Sequence, residues 1–156
     1  RDERAARLVE LVRLLGNEPI GFSGQAASWL FEDVKATWLY GYFTATVVTA
    51  HAFCLRQLAG LVLMLPDDPD LPDSIDSLEE LAAACHERGL VDLEIRAKLV
   101  ALHDACSAYT TVGLHEQDQR LERRLIDAQL VGGDEHPLLS DAKSALDCCV
   151  ALLHRR

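Results

Sequence analysis

The chain has 156 residues, 49% of them apolar, and a formal net charge of −10 at pH 7. That length predicts one domain, residues 1–156, with enough apolar material for a sizeable core. The acidic balance argues against broad, non-specific nucleic-acid binding, and the odd count of five Cys argues against a disulfide framework. The Cys sit inside apolar helical patterns, so we expect reduced thiols and a cytoplasmic setting. No signal-peptide pattern is present, and a first residue other than Met points to a start that has been trimmed. Arg predominates over Lys, the bias of a high-GC bacterial genome.

Arg1–Leu15 places Leu8, Leu11, Val12 and Leu15 on one helical face, with Arg4, Arg7 and Arg13 largely opposite. Gly16–Gly21 reads as a turn around Pro19. A helix over 24–40 follows, capped by Ser23 or Ser28. Gly41 marks a joint, and a second helix runs over 42–65.

That second helix organises the rest. Between Tyr42 and Leu65 the only formal charge is Arg56. The apolar residues do not alternate, and the run is too long for one strand and rich in Ala and Leu. A helix apolar on nearly every side is surrounded by other helices or by lipid. Its length would span a bilayer, but His51, Arg56 and Gln57 are costly in lipid and no basic cluster flanks it. We therefore expect a central helix and no membrane span.

Pro66–Ser77, with three Pro and five Asp, is an exposed acidic linker. Ser77 and Glu80 form a capping box that opens a helix reaching Arg88, and Gly89 closes it. Asp92 caps a helix over Leu93–Thr111. Leu114–Gln129 is charge-rich and reads as a solvent-facing helix; after a Gly132-Gly133 loop, Pro137 or Ser140 starts the last helix. No strand signal is visible. The expected class is all-α, an up-and-down bundle of five to seven helices around the long apolar one.

A helix ending near Gly (EDVKATWLYGYF), a long apolar helix (TATVVTAHAFCLRQLAGLV) and an acidic linker come first. A short capped helix closing on Gly (SLEELAAACHERGLVD) and a final helix (HPLLSDAKSALDCCVALLHRR) come later. In this order the chain resembles the HEPN superfamily over about residues 25–154. The resemblance implies a small helical bundle that dimerises. Many such proteins are metal-independent ribonucleases, in which an Arg and a His from two subunits meet and the RNA's own 2′-hydroxyl attacks. Where that motif falls, this chain reads LHDACSAYTT, with Ala105 or Cys106 in place of the Arg and Tyr109 or Thr110 in place of the His. A degenerate match lies nearby in Arg96 and His103, with six residues between them. Seven positions along a helix make about two turns, so both share a face. Ala97 stands where a polar residue normally follows the Arg.

Three functions are open at this point. The first is a non-catalytic HEPN-like domain acting as a homodimer or with a protein partner, in a bacterial defence, toxin–antitoxin or stress complex. Its candidate contact residues are Trp29, Trp38, Tyr40, Tyr42 and Phe43, which core packing would equally explain. The second is a ribonuclease with Arg96 as phosphate binder and His103 as acid/base. The third is a small-molecule or nucleotide sensor bundle. Arg120, Arg123 and Arg124 are the internal basic cluster and the candidate phosphate binders; Glu116, Asp118 and Glu122 among them favour i,i+4 pairing on a solvated helix. His51 and Cys54 share a helix face, but no Cys-x-x-Cys or His-Glu-x-x-His pattern occurs, and we expect neither metal nor cofactor.

Overall fold

The computed structural model describes residues 2–66, 70–71, 74–110, 125–126, 130, 136 and 138–155. Among them are six long helices and no strand: α1 (Asp2–Leu15), α2 (Gln25–Tyr40), α3 (Phe43–Leu63), α4 (Leu78–Glu87), α5 (Leu93–Thr110) and α6 (Leu139–Leu153). The class expected from the sequence, a helical bundle around a long apolar helix, is the one observed.

Helix α3 is packed by α2, α4, α5 and α6. Its buried residues include Val47, Ala50, Phe53, Cys54, Gln57, Leu58 and Leu61, a 3-4 spacing that turns one broad face into the core. By length and composition α3 could cross a membrane, but half of its most apolar stretch is buried by the rest of the protein. Phe22, Phe31 and Phe53 meet at ring-centre distances of 5.3–6.5 Å, in tilted and edge-on geometries.

Local chemistry sets most helix ends. Gly41 adopts φ 77°, a left-handed conformation that disfavours a side chain. Its N–H donates to the Trp38 carbonyl (3.0 Å) and that of Tyr42 to Thr37 (2.9 Å), the paired closure of a Schellman motif. Gly89 and Leu90 repeat it on His86 and Cys85. Ser77 Oγ accepts from the Glu80 N–H at 3.1 Å, and Asp92 Oδ1 from Ile95 at 2.8 Å, as the sequence predicts.

Two expectations are corrected. Neither Ser23 nor Ser28 caps α2: Gly24 holds that position with no side-chain bond. Ser23 is engaged elsewhere. Its N–H donates to Gln57 Oε1 (2.9 Å), while Gln57 Nε2 donates to the Gly21 carbonyl (2.8 Å). The buried amide thus pins the α1–α2 connection onto α3 and leaves neither polar group orphaned. Gly60 sits under the same loop, where an added Cβ would come within 2.2 Å of Ser23 Oγ. The second correction is the rotation of α1. Leu11 is buried and Leu14 and Leu15 pack on the core, but Leu8 and Val12 point outward and Arg7 lies inward.

Candidate functional site

The five aromatic candidates separate by where α2 and the Gly41 joint place them. Trp29 and Trp38 are nine residues apart, about two and a half turns, and so occupy opposite faces of α2. Trp29 is exposed, whereas Trp38 is only 1% exposed and belongs to the core. Its indole N–H donates to the Arg7 carbonyl at 2.9 Å, which locks α1 against α2. Phe43 is half-buried, with its ring 6.2 Å from that of Trp38 and 5.0 Å from that of His136. Tyr40 and Tyr42 are exposed and stacked on each other, with ring centres 6.2 Å apart.

The tyrosine stack continues onto α1. The Arg4 guanidinium lies 4.5 Å above the Tyr40 ring, a cation–π contact. Arg4, Leu8 and Val12 are spaced four apart, so they run in a row along one side of α1, with Val9 next to them. Leu8, Val9 and Val12 are 49%, 68% and 60% exposed. Tyr42, Tyr40, Arg4, Leu8, Val9 and Val12 therefore make one continuous band of aromatic and aliphatic surface with a cation in its middle. Arg13 stands at its far end, paired with Glu10 at 2.8 Å, and that pairing lowers the Glu10 pKa. Single exposed apolar residues are ordinary on protein surfaces; these lie side by side.

Behind the band, a cleft of about 730 Å³ opens between α1, the Gly41 joint and the start of α6. Trp38, Tyr40, Phe43 and His136 supply its aromatic walls, with Glu3, Arg7 and Glu10 of α1 and Lys143 of α6 as its charged lining. Arg7 is held from three sides. Its Nε donates to the Leu39 carbonyl at 3.1 Å, its guanidinium lies 3.7 Å from Glu3, and it reaches over Phe43 at 5.9 Å. Opposite charges balance in this cleft, so it has no marked preference for an anion.

The second candidate region lies between α3 and α5. His103 is half-buried on α5, and its ring lies 5.8 Å from that of His51 on α3, with the planes 31° apart. His103 Nδ1 is buried with no hydrogen-bond partner among the described residues. Burial, and then the neighbouring His103, hold the His51 pKa below its ordinary value. Arg96 is half-buried two turns earlier on α5, and no hydrogen bond or ion pair engages its side chain among the described residues. The pairing of His51 with His103 is the feature that sequence reasoning missed. They are 52 positions apart, and only the packing of α3 on α5 joins them.

Cys54 is fully buried with its sulfur 4.0 Å from that of Cys149, on the core side of α3. Burial pushes the Cys54, Cys106 and Cys149 thiols up, and Cys85 to about 11. Cys148 also rises, first through its contact with Cys54 and then through burial. No cluster of three or more His, Cys, Asp or Glu suited to a metal occurs among the described residues. Arg120, Arg123 and Arg124 lie outside the described residues. Compared with protein-family models, with curated proteins and with solved structures, the chain matches none.

Proposed function

We propose that this chain is a non-catalytic, HEPN-like interaction domain that pairs with a second copy of itself. What carries the proposal is the band of Tyr42, Tyr40, Arg4, Leu8, Val9 and Val12. A two-fold contact sets the same patch against itself, so the patch must be tolerable to its own kind. A chain of net charge −10 repels its copies. The surface best suited to pairing is one where acids give way to aromatic, aliphatic and Arg side chains, the types enriched at interface centres. This band has that composition.

The test is the molar mass in solution, read by light scattering over a concentration series. Wild type is expected at twice the 17.2 kDa of the single chain. The double change Leu8→Asp and Val12→Asp is expected to give the single-chain mass with an unaltered circular dichroism spectrum. Wild type that stays at the single-chain mass at every concentration would overturn the self-pairing.

A second reading, a metal-independent ribonuclease, draws support from Arg96 and His103 sharing one side of α5, with a second imidazole beside His103 to exchange protons. Cleavage of RNA in the presence of a chelator, lost in His103→Ala, would establish it and displace the non-catalytic reading.

A further inference from the structure

We propose that His51 and His103 together form a two-imidazole site for a first-row transition-metal ion of the Zn²⁺, Ni²⁺ or Cu²⁺ type. Metal–nitrogen bonds are about 2.0–2.1 Å, so two imidazoles on one tetrahedral ion hold their ring centres roughly 5–6 Å apart. The observed separation is 5.8 Å. The rings come from two different helices that are packed together, so the fold brings them side by side. His103 Nδ1 is buried and has no protein partner among the described residues, and a buried ring nitrogen of that kind needs an explanation. Both residues are half-buried, so neither ring is sealed off from solvent.

The donor set selects the ion. Two neutral nitrogens suit borderline metals and not Ca²⁺ or Mg²⁺, which take oxygen ligands. The five thiols are poor competitors, being buried and held as protonated sulfur. With two protein ligands, the remaining positions go to water, so the ion binds reversibly and exchanges.

The experiment is calorimetric titration of the purified full chain with ZnCl₂, repeated on His51→Gln and His103→Gln. One ion per chain is expected, with a rise in melting temperature as metal is added. Each single change is expected to weaken binding at least about tenfold. Affinity unchanged in both variants, or no heat and no thermal shift at millimolar Zn²⁺, would overturn the site. Should a variant fail to fold, Cu²⁺ added to the wild type decides by imidazole NMR. The His51 and His103 resonances are expected to broaden before those of the other four histidines, and the reverse order would sink the proposal.

Discussion

Helix α1 is amphipathic and helix α3 is apolar on nearly every side, and they end at opposite extremes of exposure. Helix α3 is enclosed by four neighbours, and Phe53, Cys54, Leu58 and Ala50 have no measurable contact with solvent. Helix α1 leans mainly on α2 and α6 and commits Leu11, Leu14 and Leu15 to them, while Leu8, Val9 and Val12 stay outside. The same helical period runs through both. The difference lies in how charged each one is and in how many neighbours it has. Apolar residues thus serve stability in α3, while on α1 three of them stay exposed, which is the surface our proposed self-pairing uses.

Three substitutions can break or sharpen this contrast. Phe53→Ala in α3 removes the ring that Phe22 and Phe31 share, and is expected to cost about 3–5 kcal/mol in chemical denaturation. Gly60→Ala pushes a methyl group into Ser23 and the loop that Gln57 holds, an overpacking expected to cost about 1–3 kcal/mol by the same measurement. Val9→Ser on α1 is expected to shift the stability of the single chain by no more than about 0.5 kcal/mol, while weakening self-association. If Val9→Ser proved as destabilising as Phe53→Ala, α1 would be core and the contact surface would have to be sought elsewhere.

The helix ends were legible because capping is local. Gly41, Ser77, Gly89 and Asp92 act on backbone groups within a few residues, and the sequence shows them directly. The identity of the central helix was legible for a different reason: a run that apolar has no stable place outside the bundle. The facing of α1 was not. Leu8/Val12 and Leu11/Leu15 satisfy the same spacing, and the choice between them is made by Trp38, whose indole N–H reaches back to Arg7. Trp29 and Trp38 look alike in sequence, and only the side on which α3 lies sends one into the core and leaves the other in water. The histidine pair was unreadable for the same cause, since its two members are joined by packing and by nothing along the chain. Ser23 could pass for a cap because its true partner, Gln57, lies 34 positions away.

The interior sulfurs have a consequence for how this protein is handled. While the bundle is closed, all five thiols are shielded and predominantly protonated, so air and mild oxidants find little thiolate to attack. Melting the chain removes that shield from every sulfur at once. Heated without a reductant, the opened chain offers its thiols to oxidation, so the melt is expected to be more reversible on rescanning when a reductant is present.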